Sequence, residues 1–241
     1  EGYSFNDDES KILLSTNVMP IYRHSTLAKY FIYDIKDKTL EEVDGGEIQE
    51  PLLSPDNKRI AYVKARNIVI KELGQEDGYE ITSDGGDRGI INGVTDWVYE
   101  EEFGFVRAFD WNKDGTKLAY IKFDESEVNE FSMDVYGKDL YPSQYQFKYP
   151  KAGEDNAVVS LHIYDLNTKK TATINLGDYE DFYIPRIKWT NNANTLSVQV
   201  LNRHQNKLDL IFVDATNNQA NVVMTDTDKA YVDVTDNLTF L

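Results

Sequence analysis

The stretch WNKDGTKLAYIKF, residues 111–123, opens on an aromatic residue, passes through six polar or glycine residues and returns to an aliphatic one at Leu118. Asn112, Asp114 and Gly115 are turn formers: short polar side chains bond back to the main chain, and glycine accepts a positive φ. Leu118 to Phe123 are rich in residues that pack well on a pleated surface. The stretch therefore reads as a strand end, a tight turn and a new strand.

The pattern recurs without gaps in FNDDESKI from Phe5, LSPDNKRI from Leu53 and WTNNANTL from Trp189, with the aliphatic residue at Ile12, Ile60 and Leu196. A second element follows in FIYDIKDKT at Phe31, HIYDLNTKKT at His162 and IFVDATNNQ at Ile211. Each is a strand ending in an aspartate (Asp34, Asp165, Asp214) before a hairpin turn, and NIVIKELG at Asn67 is a weaker copy. The anchors stand 48, 58 and 78 residues apart, against roughly 40–50 residues for a minimal four-stranded blade. The expected fold class is all-β, a partial β-propeller of about four blades with insertions in the longer intervals, because radial repetition leaves few exposed strand edges. A sandwich of alternating strands is the alternative.

Blade turns are expected near residues 5–12, 53–60, 111–118 and 189–196, with the whole of 1–241 part of one propeller domain. Leu238–Leu241 again look like a strand preceding a blade turn, and the chain starts without methionine. It therefore reads as a piece of a larger propeller, whose opened edges should promote self-association.

A hydrophobic share of 41% suits a globular core, and the net charge of −17 disfavours nucleic acid and anionic membranes while attracting cations. The absence of cysteine excludes disulfides, thiolate metal sites and cysteine nucleophiles. No apolar run approaches the roughly 20 residues of a membrane span.

The 58-residue interval holds GYEITSDGGDRGIINGVTDWVYEEEF. Turns are expected over Ser83–Gly89 and Asn92–Gly93. Asp96 should cap a short helix over 96–104, with Gly104 ending it. Glu100, Glu101 and Glu102 then lie about 100° apart around the axis and cannot face one way. At least one must lie beside aromatic rings, where an unpaired carboxylate is costly. Two converging acids would be relieved by one ammonium group; the competing reading is a capped, solvated surface helix. The 78-residue interval holds an aromatic-rich arm, residues 124–156, that reads as a protein contact or as a loop folded onto its own blade.

GVTDWVYEEEF, IYRHSTLAKYFIYDI (21–35), SPDNKRIAYV (54–63) and YPKAGEDN (149–156) together resemble the dipeptidyl peptidase IV family of the prolyl oligopeptidase superfamily, nearest its bacterial branch. The resemblance implies an eight-bladed propeller capping an α/β-hydrolase domain that carries a Ser–Asp–His triad. It implies release of X-Pro or X-Ala dipeptides from free peptide N-termini. By position, Glu101 and Glu102 would hold the substrate α-ammonium, Arg23 would hydrogen-bond the carbonyl of the first substrate residue, and the arm would contribute to a homodimer. A periplasmic or cell-surface location follows by the same resemblance.

No catalytic residue is expected within these 241 residues, so this piece alone should be inactive. The near match to a nucleophile elbow, GYSFN at Gly2–Asn6, lacks the final glycine and fits the first strand and turn. His24, His162 and His204 show no serine partner in sequence, and no cofactor or metal motif occurs. The alternatives are a catalytically inactive homologue and a stand-alone propeller scaffold that binds peptides or proteins.

Overall fold

Gly2–Phe5 (β1), Lys11–Pro20 (β2), Thr26–Asp34 (β3) and Thr39–Glu42 (β4) form an antiparallel sheet whose strands lie side by side in sequence order. Gln49–Leu53 (β5), Arg59–Lys64 (β6), Asn67–Glu72 (β7) and Tyr79–Glu80 (β8) repeat it. The third sheet contains Ile90–Asn92 (β9), Phe109–Trp111 (β10), Lys117–Asp124 (β11), Val158–Asp165 (β14) and Lys170–Ile174 (β15). Glu130–Val135 (β12) and Ser143–Lys148 (β13) make a separate hairpin, the arm, between β11 and β14. The fourth sheet is Phe182–Trp189 (β16), Thr195–Asn202 (β17), Lys207–Asp214 (β18) and Gln219–Thr227 (β19). This computed structural model describes residues 2–86 and 89–240, so part of the turn expected over Ser83–Gly89, and Leu241, lie outside the described residues.

The register of the sheets follows the sequence repeat. Phe5 pairs with Ile12, Leu53 with Ile60, Trp111 with Leu118 and Trp189 with Leu196. The turn between each pair closes on its own side chains. In the third copy Asn112 Oδ1 accepts the Thr116 and Lys117 amides at 2.9 and 2.8 Å, leaving Gly115 at φ +69°. The first residue of the second strand also faces the last residue of the third: Lys11 with Asp34, Arg59 with Glu72, Lys117 with Asp165. All three couples are ion pairs. The terminal aspartates of the first and third blades are thus cross-strand partners of a lysine; Glu72 takes that place in the weaker second copy, and Asp214 of the fourth blade faces Thr195.

The second and third sheets, and the third and fourth, are joined through their first strands. Trp111 Nε1 donates to the Leu52 carbonyl at 3.1 Å, and Trp189 Nε1 donates to the Asp110 carbonyl at the same distance. A buried indole N–H needs a partner, and here the preceding blade supplies it from the equivalent position each time. The apolar core runs continuously from the second to the fourth sheet, from Ile68 and Ile70 through Ile121 and Leu161 to Leu196 and Ile211. Ile32, Val43, Ile48, Ile60, Tyr62 and Val69 form a smaller cluster between the first two sheets. Four open antiparallel sheets joined in this way, with a short helix and an arm inserted, make a partial β-propeller.

Two details depart from the sequence reading. The first strand of the third blade is broken: β10 covers Leu118–Tyr120 of β11, β9 covers Lys122–Asp124, and the chain leaves the sheet between them. Leu238–Phe240 form no strand. Side chains take their carbonyls instead, Lys188 Nζ donating to Leu238 O at 2.9 Å and Asn191 Nδ2 to Phe240 O at 3.0 Å.

Candidate functional site

The excursion between β9 and β10 has a tight neck. Gly93 N donates to Ile121 O at 3.1 Å and Ala108 N donates to Gly93 O at 2.9 Å. Gly93 has φ +76°, and a Cβ there would stand 2.7 Å from Ile68 Cγ1, so both conformation and space demand glycine. Trp97–Phe103 (α1) then forms a seven-residue helix. Asp96 Oδ1 accepts the Tyr99 amide at 2.9 Å as N-cap, and Gly104 ends the helix in the left-handed conformation, φ 68°. Burial pushes the Asp96 carboxyl up to about 7, with the Tyr99 amide opposing the shift and the Glu125 charge adding to it. Tyr99 pins the helix to the core: its ring lies 4.8 Å from that of Phe123, and its hydroxyl oxygen accepts the Ile184 amide at 3.0 Å.

The three glutamates separate as the helical angle requires. Glu100 is fully buried; its Oε1 accepts the amides of His24 at 2.6 Å and Ser25 at 2.9 Å, and its buried Oε2 has no partner among the described residues. Glu101 is half-buried, and its Oε2 lies 3.1 Å from Arg23 Nε. Glu102 is exposed. The helix thus brings Arg23 and Glu101 together, with Glu102 next to Glu101 in sequence and turned to solvent. Glu100 was not singled out by sequence; the demand that one acid lie among rings was the available signal.

Arg23 sits in a loop closed by Ile21 N to Ser25 O, 2.8 Å, and Tyr22 N to Ser25 Oγ, 3.2 Å. The arm packs on the other side of this loop. Phe147 lies 6.0 Å from Tyr22 and 6.4 Å from Trp97, and Tyr149 lies 4.6 Å from Trp97 between ring centroids. The arm's root is therefore folded onto the site, whereas its tip is free: Tyr136, Leu140 and Tyr141 are 80, 90 and 80% exposed. A further carboxylate, Glu50, faces the same region from β5. Burial pushes its carboxyl up, Arg107 at 3.7 Å opposes the shift, and the Glu100 charge adds to it.

One expectation needs correction. His162 does have a serine neighbour, with Ser160 Oγ 2.8 Å from its Nε2, because residues two apart on β14 share a face. The other ring nitrogen meets Thr173 Oγ1 at 3.2 Å rather than a carboxylate, and burial pulls the imidazole down to about 4. Such a ring is a weak base and lacks the acidic orienter of a triad. GYSFN forms the exposed strand β1 and the start of its turn.

The family model described as "Dipeptidyl peptidase IV (DPP IV) N-terminal region" matches residues 6–241. Dipeptidyl aminopeptidase B of Saccharomyces cerevisiae is 32% identical over 100% of this chain and 30% of its own length. The crystal structure of Porphyromonas gingivalis dipeptidyl peptidase 4 superposes with a TM-score of 0.92 at 39% identity, covering 97% of this chain and 33% of that one. The chain thus spans about a third or less of the length of these relatives. Its match to the family model over nearly all its residues, on a propeller fold shared with a solved member, shows that the chain belongs to the dipeptidyl peptidase IV family, as part of that family's N-terminal region.

Proposed function

We propose that the chain is the substrate-gating and N-terminus-anchoring part of an eight-bladed propeller in a serine exopeptidase that removes X-Pro and X-Ala dipeptides. Glu101 and Glu102 hold the substrate's α-ammonium, and Arg23 positions the carbonyl of its first residue. The observation that carries this reading is the Arg23–Glu101 ion pair, which joins residues from two separate blades. An exopeptidase must recognise a free N-terminus, and the distinctive group there is an ammonium with pKa about 7.7–8.0. Carboxylates at a fixed distance from a nucleophile determine which bond is presented to it, and a guanidinium is a permanently charged, planar donor for a carbonyl. These residues break no bond; their contribution is orientation.

The nucleophile belongs to a hydrolase domain outside these 241 residues, and the piece taken alone is inactive. The exposed tip of the arm contributes to a homodimer, and the full-length protein works outside the cytoplasm. No helix among the described residues is long and apolar enough to cross a membrane.

The test uses the full-length protein with a Gly-Pro chromogenic substrate and its N-acetylated counterpart. Only the free amine should be cleaved. Glu101→Ala or Glu102→Ala should each lower kcat/KM about 10- to 100-fold, since a hydrogen bond to a charged group contributes roughly 1.5–3 kcal/mol. Equal cleavage of both substrates would reduce the glutamates to a capped surface helix. No cleavage of either would favour an inactive homologue that binds peptides.

A further inference from the structure

Glu100 has no part in the function proposed above, yet it is the most deeply placed acid of the helix, fully buried. Among the described residues no cation pairs with it, and its Oε2 has no hydrogen-bond partner. Burying a carboxylate without a cation is costly. A helix that needed only to fill space would carry an apolar residue here, as it does at Tyr99 and Phe103.

The buried charge is instead spent on two main-chain groups. Oε1 accepts both His24 N and Ser25 N, and a charged acceptor holds amides more strongly than a neutral one. These amides directly follow Arg23, whose side chain is 72% exposed and, among the described residues, is held by Glu101 alone. Packing cannot position a guanidinium so exposed. Its location depends on where the loop backbone stands relative to α1, and Glu100 sets that relation. Neighbouring carboxylates of one helix thus grip one short loop twice, Glu100 by its backbone and Glu101 by its arginine.

We infer that Glu100 is a positioning residue that holds the Tyr22–Ser25 backbone against α1, so that Arg23 is presented beside Glu101 in the geometry substrate requires. The inference rests on the reading of Arg23 and Glu101 as substrate contacts. It assigns the first glutamate of the run a duty distinct from ammonium binding: Glu100 acts through Arg23 and touches no substrate.

A double-mutant cycle in the full-length protein tests this, with kcat/KM measured on the Gly-Pro chromogenic substrate for wild type, Glu100→Gln, Arg23→Ala and the double variant. Glu100→Gln keeps an acceptor oxygen and loses the charge. It should cost about tenfold alone and less than about twofold in the Arg23→Ala background, since a residue acting through another has nothing left to position. Hydrogen exchange should rise at the His24 and Ser25 amides and stay unchanged at Ala61 and Val63 in the core. Equal losses in both backgrounds, or no loss from Glu100→Gln while Arg23→Ala is impaired, would overturn the inference and leave the proposed function standing. An unimpaired Arg23→Ala would overturn the assigned role of Arg23 and this inference with it. If Glu100→Gln does not fold, Glu100→Asp, which keeps the charge and shortens the reach, enters the same cycle with the same outcomes.

Discussion

Helix α1 and the arm are both aromatic-rich insertions at the third blade, yet their rings meet opposite surroundings. Tyr99 of the helix is 1% exposed, whereas Tyr136 and Tyr141 at the arm's tip are each 80% exposed. The arm's root behaves like the helix, with Phe147 and Tyr149 packed on Trp97. What separates the two is reach to a surface with matching polar groups. The Tyr99 hydroxyl finds the Ile184 amide of the next blade, so the whole ring can leave water without stranding its oxygen. The arm's tip stands beyond the sheets, where nothing among the described residues covers it. Aromatic content therefore marks both segments as out of the ordinary, and only geometry says which is core and which is surface.

The largest expected effect breaks the buried side. Tyr99→Ala in the full-length protein should cost about 3–5 kcal/mol, the range for truncating a large buried aromatic. It would appear as a lower unfolding midpoint and lost exchange protection at the Ile184 amide; an unchanged midpoint would mean that the helix is not anchored through this ring.

A second test concerns the helix start. Burial raises the folded Asp96 carboxyl to about 7, against about 3.9 unfolded. Between these values the native state holds a proton that the unfolded state has released. The associated stability is fully present below about pH 4 and is lost as pH rises towards 7. Asp96→Asn keeps an acceptor for the Tyr99 amide and removes the titration. Its stability relative to wild type should therefore rise from pH 4 to 7, and parallel curves would show that the carboxyl does not titrate there.

The smallest effect on stability belongs to the arm. Tyr136→Ser combined with Leu140→Ser should change stability by no more than about 0.5 kcal/mol, the range for exposed sites. It should weaken self-association in sedimentation velocity. A stability loss of the size expected for Tyr99→Ala would show that the tip is packed after all.

Much of the fold was legible because it is written in local chemistry. Turn residues announce each hairpin, and the residues seven apart in each copy become cross-strand partners. Asp96 and Gly104 announce the ends of the helix. The broken first strand was not legible, since Ile90–Asn92 is too short to show a period and pairs beyond the end of β10. In the site, the helical angle foretold that the three acids would diverge but not which would turn inward. That depended on amides 76 and 75 residues away, which no local pattern marks. The Trp111 and Trp189 indoles likewise read as apolar anchors, while their bonds to the preceding blade are tertiary facts.

The bonds from Glu100 to the Arg23 loop also have a consequence in time. Closing a loop of some 76 residues forfeits chain entropy before any contact offsets it, and such pairings form late. At about 5–20 residues per second of synthesis, roughly 4–15 seconds pass between the appearance of His24 and that of Glu100. During that interval the first blade can form its sheet and the local bonds of its Arg23 loop, but the loop lacks the Glu100 and Glu101 carboxylates that hold it from outside. The loop meets its partners only when the third blade arrives, so a chain halted after two sound blades would hold Arg23, one of the proposed site's three residues, and none of the carboxylates that face it.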